Sequence, residues 1–525
     1  MLVLASTGIV LGVWGFSEKN YNFSDSLYKT FQLFVLKVSV EELKPLWQLQ
    51  WSMWLIFAAF LWATFRLFFE IIAPQFLKNL KTLTFRNHII ICGLNKITVN
   101  LVENLAKKHQ KKQIIILAED TNKYADMLKV KCVELFIGNF TDESFWKKIK
   151  LEKASKLYAI TDNDSVNAKI AQSVFSYLEG GKREKDALKS FVLIKDRELK
   201  TILEESVLFK YKTVAFDGIP FNINEIGMKY GVATYIDKIL PKAMQTPPEI
   251  LLIGLTEKTE IALLNLAHCF TMQREIFRFT IVEKDAEKIH SFQKKYPYLQ
   301  DFIEIKIIPE IEPEKTFDSV LVCTDCPMEA VKKAVAIRYL LGVNFKDKSI
   351  LLFCNEADTF NEILKNELEN KKIFPVSLFR QIADYVFELD RNIEEKAKET
   401  HYFWNTIYGQ NKEWDELTGH FKQSNRNQIL DNYLKIYIAR GEKFENAKNR
   451  LISFSDSEKE TLAIMEHRRW VLEKIENGWV LGERDNEFKR HNCLIHWKEL
   501  SQEEQAKDYD TVNLMIRLLN NSLIG

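Results

Sequence analysis

The N-terminal part of the chain is dominated by unbroken apolar runs rather than by an alternating pattern. Residues 2–16 contain no charged residue, and residues 45–65 form a second uncharged run rich in aromatic side chains. A helix needs about 20 consecutive apolar residues to cross a bilayer. The pattern therefore predicts two transmembrane helices within residues 1–86. For the shorter first run, a signal peptide is the alternative.

Between these runs, residues 18–44 have the pattern of an amphipathic helix. Ser24 and Asp25 can cap its N-terminus, and apolar residues follow at helical spacing: Leu27, Phe31, Phe34 and Val38. Two spans around such a helix resemble two-span channel subunits in arrangement, which implies a re-entrant pore helix. The Thr-containing Gly-aromatic-Gly filter of that family is absent from residues 33–43. The alternative is a helix that lies at the membrane interface.

Charged residues near the end of the second run extend this membrane interpretation. Arg66 and Glu70 are four residues apart, and a charge facing lipid costs a few kcal/mol. We predict that Phe34, Arg66 and Glu70 line a pore, with snorkelling to the lipid headgroups as the alternative for the two charged residues. The basic residues Lys78, Lys81 and Arg86 follow, which predicts a multi-pass protein of the inner membrane with cytoplasmic C-terminal domains.

The middle of the chain contains an internal repeat of strand and helix patterns. A buried apolar run, a Gly-Leu pair and an amphipathic helix begin at His88 and again at Glu249. In each copy a second strand ends in acidic residues, and a later strand ends in Thr-Asp. Alternating strands and helices predict two doubly wound parallel sheets, over residues 87–245 and 246–384. The predicted fold class is therefore membrane-anchored α/β.

The first copy resembles the RCK or TrkA-N regulatory domains of prokaryotic potassium channels and transporters. The resemblance rests on residues 138–142, Gly-Asn-Phe-Thr-Asp, and on residues 160–164, Ile-Thr-Asp-Asn-Asp, with Asn167. It implies binding of a nucleotide or an NAD-derived ligand in a Rossmann-like cleft. The predicted contacts of such a ligand are Gly93, Glu119, Asp120, Thr161 and Asp162.

The glycines that usually admit a pyrophosphate are mostly missing from both copies. Gly93 is followed by Asn95 and Thr98, and Gly254 by Thr256 and Thr259, where a dinucleotide fold has further glycines. Glu119, about 20 residues past the first turn, can accept a ribose hydroxyl. The alternative is that the two copies are scaffolds for dimerisation and for the transmission of motion.

The C-terminal region, residues 385–525, has long charged helical patterns and predicts an all-helical domain. One segment resembles the RyR repeat, a small helical module named after ryanodine receptors. The matching features are Glu466, His467, Arg469 and Trp470, the pair Gly478-Trp479 with Gly482, the spacing of Lys489 and His491, Leu500, and residues 507–510, Lys-Asp-Tyr-Asp. Asn492 stands where such modules usually have proline.

This module offers flat rings and cations, which are the groups that recognise a base and a phosphate. We predict a site for a small nucleotide-like signal formed by His467, Arg468, Arg469, Trp470, Trp479, Arg484, Lys489 and Tyr509. The alternative is that both tryptophans fill the core of the domain and the basic residues are solvated.

Composition narrows the remaining classes of function. The chain has 525 residues and a net charge of +1, which argues against nucleic acid as a partner. Seven cysteines without regular pairing indicate reduced thiols, and Cys323 with Cys326 lacks a second ligand pair at zinc spacing. No constellation of catalytic residues is evident, so we predict that the chain is not an enzyme.

Together the resemblances imply an oligomeric, ligand-gated membrane channel or effector. By analogy the assembly is a homo-tetramer, and a role in bacterial antiviral defence rests on analogy alone. Two alternatives are a regulator of potassium or other cation transport that senses an adenine nucleotide through the first Rossmann-like domain, and a membrane-anchored sensor that forms no channel.

Overall fold

The computed structural model divides the chain into two compact units, residues 1–85 and 86–525. It describes residues 2–34, 46–69, 82, 84–108, 113–121, 123–128, 133–140, 142–181, 183, 186–240, 246–269, 276–297, 299–357, 364, 366–389, 393–409, 411–443, 446 and 451–521.

The N-terminal unit is a group of three helices. They are α1 (Leu2–Glu18), α2 (Phe23–Phe34) and α3 (Trp47–Leu67). Helix α1 packs closely on the other two, since a Cβ at Gly12 would lie 2.6 Å from Thr30 Cγ2 and 2.7 Å from Ser52 Oγ. The Ser52 hydroxyl also donates to the carbonyl of Gly8 at 2.6 Å. Small residues on α1 therefore allow the close approach of the helices.

The prediction of transmembrane helices is wrong. Among the described residues, no helix is both long enough and apolar enough to cross a membrane. Helix α1 has 17 residues, and α3 has 21 but carries Gln48, Gln50 and Arg66. The predicted inner-membrane location is corrected with it.

The three residues predicted to line a pore are placed as follows. Phe34 is the last residue of α2, and Arg66 lies in the last turn of α3. Glu70 and Val38 lie outside the described residues.

The larger unit begins with a six-stranded parallel sheet in the order β3-β2-β1-β4-β5-β6. Its elements are β1 (Ile89–Cys92), α4 (Lys96–Lys108), β2 (Ile114–Ala118), β3 (Val133–Ile137), α5 (Glu143–Lys148), β4 (Lys156–Ala159), α6 (Asp164–Glu179), β5 (Leu188–Leu193), α7 (Arg197–Glu204), α8 (Val207–Lys210), β6 (Phe216–Phe221), α9 (Ile223–Thr234) and α10 (Ile236–Ile239). Strands β1, β2 and β4 are fully buried, because helices cover the sheet.

The repeat forms a second parallel sheet in the order β12-β11-β10-β7-β8-β9. Its elements are β7 (Glu249–Ile253), α11 (Glu257–Ala267), β8 (Arg278–Val282), α12 (Ala286–Lys295), β9 (Glu304–Ile308), β10 (Ser319–Cys323), α13 (Pro327–Leu341), β11 (Ser349–Cys354), β12 (Ile373–Ser377) and α14 (Leu378–Glu388). The prediction of two doubly wound parallel sheets is confirmed.

The two Rossmann-like domains are joined because a late helix of each domain packs on the first helix of the other. Helix α9 of the first domain packs on α11 and α14 of the second, and α14 packs in turn on α4. Gly227 of α9 allows this approach, since a Cβ there would meet the side chain of Leu378 at 3.3 Å. The hydrophobic cores of the two domains are therefore continuous.

The described part of the C-terminal region contains four long helices and one small pair of strands. They are α15 (Glu394–Tyr408), α16 (Gly419–Arg440), α17 (Asp456–Glu476), β13 (Val480–Leu481), β14 (Arg490–His491) and α18 (Gln502–Asn521). The expectation of an all-helical domain missed these strands, because two-residue strands carry no periodic signal. Gly478, with φ of +77°, follows the end of α17 and turns the chain into β13.

Helix α17 contacts both Rossmann-like domains through charged and aromatic side chains. Glu476, in its last turn, pairs with Arg197 of α7 and with Lys229 of α9. On the other side, Phe302 of the second domain packs against Val471 and Trp479. The helical domain therefore bridges the two Rossmann-like domains.

A buried chain of ion pairs reinforces this junction. His268 Nε2 lies 2.5 Å from Asp431, and Lys435 lies 2.9 Å from Asp431 and 2.5 Å from Glu466. Although burial alone would lower the pKa of His268, the Asp431 carboxylate raises it to about 10. The imidazole is therefore charged at neutral pH and holds the second Rossmann-like domain to α16.

Candidate ligand-binding sites

The turn after β1 has the backbone geometry of a Rossmann phosphate turn. Gly93 has φ of +115°, and a Cβ there would lie 2.8 Å from the carbonyl oxygen of Ile160. Its N–H donates to the carbonyl of Leu117 at 2.8 Å. Only glycine fits this close approach of the turn after β1 to the backbone just after β4.

The two residues in place of further glycines bond to the turn itself. Asn95 caps α4, since its side-chain oxygen accepts from the N–H of Thr98 at 3.1 Å, and its amide donates to the carbonyl of Ile160 at 2.6 Å. The Thr98 hydroxyl donates to the carbonyl of Gly93 at 2.9 Å. The protein's own side chains thus occupy part of the helix N-terminus that phosphates otherwise use.

A cleft of about 260 Å³ lies beside this turn. Glu119 and Asp120 follow β2, are exposed and line it. Thr161 also lines it, but its hydroxyl and N–H both bond to the side-chain oxygen of Asn167 at 2.8 Å. Asp162 is exposed and pairs with Lys195 at 3.4 Å. The cleft therefore gathers all five predicted contacts, and its free groups are mainly acidic.

In the segment that resembles the RyR repeat, two of the predicted ligand contacts are engaged in internal bonds. Arg469 pairs with Glu466 at 2.7 Å and also with Glu473. His467 is buried, and its Nε2 lies 2.8 Å from the carbonyl of Ile495. These side chains fix α17 against its neighbours.

His467 also faces a half-buried acid, Asp508, which the sequence interpretation matched to the RyR repeat but did not count among the ligand contacts. Its Nδ1 lies 3.6 Å from a carboxyl oxygen of Asp508. Burial lowers the pKa of His467, and burial with the nearby Glu466 raises the pKa of Asp508 to about 8. Both groups are therefore neutral at pH 7, with the imidazole donating to Ile495.

Trp479 and Arg468 lie at the contact with the second Rossmann-like domain. Trp479 is buried with Phe302, Val471 and Leu494. The Arg468 guanidinium lies 6.0 Å from the centre of the Phe302 ring. These two predicted contacts therefore serve domain packing as well.

Trp470 remains half-buried at the surface, beside groups suited to an anion. The His491 ring meets it edge-on at 4.8 Å, and Lys474 Nζ lies 5.9 Å from its centre and 4.0 Å from the centre of Trp479. Lys474, missed by the sequence interpretation, lies one helical turn after Trp470. That spacing places both side chains on one face of α17.

Exposed cations lie close to these rings. Arg484 and Lys489 lie between β13 and β14, and Lys489 Nζ donates to the carbonyl of Asn477 at 3.3 Å. Burial lowers the pKa of His491 to about 4, and Arg484 and Lys474 contribute to the same shift. The pKa of Lys474 is lowered by burial and by Arg484, Arg469 and Lys489, against the opposing effect of Glu473. The cluster therefore carries positive charge that an anion would stabilise.

Tyr509, the last predicted contact, makes its ring contact with a residue outside this cluster. It is half-buried on α18, and its ring meets Trp497 at 6.0 Å. Trp497 in turn lies 5.9 Å from His467. Tyr509 therefore belongs to the aromatic packing around the neutral His467–Asp508 pair.

Comparisons with known proteins agree with the two sequence resemblances. Residues 89–206 match the TrkA-N domain, and residues 445–522 match the RyR domain. No curated protein sequence matches the chain.

The solved structures to which the chain is similar include a channel and a gating ring. The GsuK channel is 15% identical, with a TM-score of 0.38, over 74% of this chain and 95% of that chain. The GsuK channel bound to NAD is 12% identical, with a TM-score of 0.38, over 74% and 82%. The human SLO3 gating ring is 9% identical, with a TM-score of 0.38, over 57% and 82%.

Proposed function

We propose that this protein regulates cation transport in response to an anionic, base-containing ligand that binds the RyR repeat. The regulatory part of the proposal is supported by the TrkA-N match over residues 89–206. The ligand is supported by one observation above all, the cation cluster beside Trp470. There, Arg484 contributes to lowering the pKa of both Lys474 and His491, as neighbouring positive charges do.

The chemistry of this cluster favours a nucleotide-like compound. The exposed face of a half-buried tryptophan can stack on a base, which contributes about 1–3 kcal/mol. An arginine nearby can hold a phosphate with two parallel hydrogen bonds. Trp470 and Arg484 supply these two groups, and Lys474 adds a second cation close to both indole rings.

Binding at this cluster has a direct route to the Rossmann-like domains. Trp479, whose ring lies under Lys474, packs on Phe302 of the second domain. Glu476, two residues after Lys474, pairs with Arg197 and Lys229 of the first domain. A ligand that shifts the end of α17 therefore changes contacts with both domains, which is the differential interaction that regulation requires.

The binding test uses the full chain and a panel of cyclic dinucleotides and ADP-ribose compounds, measured by calorimetry. We expect Arg484→Glu to weaken binding of the active compound at least tenfold, since it removes a phosphate contact and adds a repulsive charge. Lys498→Glu, at an exposed position away from the cluster, is the matched control and keeps the parent affinity. Equal affinities for both variants would exclude the cluster as the site.

The transport test follows rubidium-86 flux in bacteria that express the protein. We expect flux to respond to the active compound in cells with the parent chain, and no response with Arg484→Glu. A flux that is the same with the parent chain, the variant and no protein would refute the regulatory role.

A second candidate function is sensing of an adenine nucleotide in the first Rossmann-like cleft. The observation in its favour is the Gly93 turn with Glu119 exposed after β2, where a ribose hydroxyl would bind. In the same panel, Glu119→Gln would then abolish binding while Arg484→Glu would not.

A further inference from the structure

The second Rossmann-like domain contains a larger cleft than the first. Its volume is about 580 Å³, against about 260 Å³ beside Gly93. It lies at the carboxyl ends of β7, β8 and β10, next to the Gly254 turn. In open α/β sheets, ligands bind at this edge where the strand order reverses, here between β7 and β10.

Lysines from four segments line this cleft. Lys258 belongs to the first turn of α11, Lys284 to the loop after β8, Lys288 to α12 and Lys333 to α13. Lys258 is the buried one, with 3% of its surface exposed. Its ammonium donates to Asp325 at 2.5 Å, to Asn355 at 3.0 Å and to the carbonyl of Thr324 at 3.3 Å. Lys258 therefore places a fixed positive charge where the strand order reverses, between the ends of β7 and β10.

The carboxylates of the cleft already have partners within the protein. Glu283 accepts N–H donors of Leu255, Lys284 and Asp285 at 2.9–3.0 Å, and these bonds outweigh burial and lower its pKa. Glu257 accepts from Asn224 at 2.6 Å. Glu283 thus accepts hydrogen bonds from backbone N–H groups near the Gly254 turn, and these groups are not available to a phosphate. A phosphate in this cleft would therefore be bound by side chains.

The remaining lysines can exchange their present partners for a ligand. Lys333 pairs with Glu329 at 2.7 Å and Lys284 with Glu310 at 2.6 Å, and all four of these side chains are about half exposed or more. Exposed pairs of this kind contribute only about 0–1 kcal/mol. Lys288 forms none of the ion pairs found in the described part of the chain. Three side-chain cations can therefore turn towards a multiply charged anion in the cleft.

We propose that this cleft is a second ligand site, which binds a polyphosphate group through Lys284, Lys288 and Lys333, beside the fixed charge of Lys258. The site differs from the cluster on the RyR repeat, and it does not depend on the function proposed for that cluster. The recognition relies on lysine side chains, in place of the glycine-rich turn that dinucleotide folds use.

The test measures binding of inorganic pyrophosphate and of ADP to the full chain by calorimetry. The variant Lys288→Glu with Lys333→Glu reverses two charges at the cleft. The variant Lys294→Glu with Lys332→Glu reverses two exposed charges on the same two helices, α12 and α13, outside the cleft. We expect the first pair to weaken pyrophosphate binding at least tenfold, and the second pair to leave it unchanged.

The same titration on Arg484→Glu separates this site from the RyR cluster. Loss of pyrophosphate binding in Arg484→Glu, with the cleft variant unaffected, would overturn the proposal. Equal weakening in the cleft variant and its matched control would also overturn it, because the effect would then be one of net charge. If the parent chain binds ADP but not pyrophosphate, the polyphosphate assignment is wrong.

Discussion

At the scale of single residues, glycines and buried ionisable groups decide what the candidate sites can do. Gly93 allows the turn after β1 to approach the backbone of Ile160 closely, while Asn95 and Thr98 close the turn that glycines would leave open. Asp508 and His467 are neutral at pH 7 because burial raises the pKa of the carboxyl group and lowers the pKa of the imidazole. Each of these local arrangements has a measurable consequence for stability.

We expect Gly93→Ala to destabilise the protein by at least about 2 kcal/mol, because the new Cβ clashes with the backbone of Ile160 and the positive φ disfavours alanine. Gly181→Ala is the matched control, with φ of +75° and no atom within 4 Å of the added Cβ. It should cost about 1 kcal/mol. Urea unfolding of both variants measures the loss of stability. Equal losses in the two variants would show that the close approach of Gly93 to Ile160 is unimportant.

We expect Asp508→Asn to reduce the pH dependence of stability between about pH 4 and pH 8. The pKa of this acid rises from 3.8 to about 8 on folding, so the folded state binds its proton more tightly. The free energy of unfolding of the parent therefore falls as the pH rises through this window. At pH 8 the folding equilibrium constant of the variant should exceed that of the parent by roughly tenfold or more. Parallel curves of stability against pH would refute this account.

At the scale of elements, helix α17 carries three different surfaces. One face presents Glu466 and Arg469 to the buried ion pairs, its last turn presents Glu476 to the first Rossmann-like domain, and Trp470 with Lys474 lies at the surface. The strands β13 and β14 then bring His491 back against Trp470. The candidate site is therefore formed where one helix and one short ladder meet.

We expect Glu476→Gln to destabilise the chain by about 3 kcal/mol, because Arg197 and Lys229 would lose the charge that compensates them in a largely buried position. Hydrogen exchange should increase most in α7 and α9. Glu487→Gln, at an exposed position, is the control and should change stability by less than about 0.5 kcal/mol. A variant as stable as this control would show that the pair does not anchor α17.

At the scale of the whole molecule, the helical domain bridges two Rossmann-like domains whose own helices interlock. Phe302 and Glu476 mark the two ends of this bridge. Phe302 precedes β9, and Pro309, just after β9, lines the second cleft. A ligand at the RyR-like segment and a ligand at the second cleft would therefore act on opposite ends of the same strand, β9.

We expect the purified chain to form a homo-oligomer, with a tetramer as the predicted state. Large apolar side chains are exposed on α13 and just after it, at Tyr339, Leu340 and Val343. Light scattering should give a multiple of 61.6 kDa. Tyr339→Glu with Val343→Glu should lower that mass, whereas Lys332→Glu on the same helix should not. A monomer for the parent chain at micromolar concentrations would refute the prediction.

The sequence by itself determined the repeat of two parallel sheets and the positions of their turns. Apolar runs of strand length and the pairs Gly93-Leu94 and Gly254-Leu255 are local signals, and the first strand of each copy begins within one residue of its predicted start, β1 at Ile89 and β7 at Glu249. The N-terminal prediction failed because lack of charge was taken for sufficient hydrophobicity, although glutamines and tryptophans lie among the apolar residues of α3.

Only the tertiary structure decided which candidate residues are available to a ligand. Arg469 and Arg484 look equivalent in the sequence, yet the first is held by Glu466 and Glu473, while the second is exposed in the loop before β14. Lys258 reaches Asp325 and Asn355 across more than sixty residues of sequence. Such assignments depend on contacts between distant segments, and local periodicity carries no information about which charges those contacts neutralise.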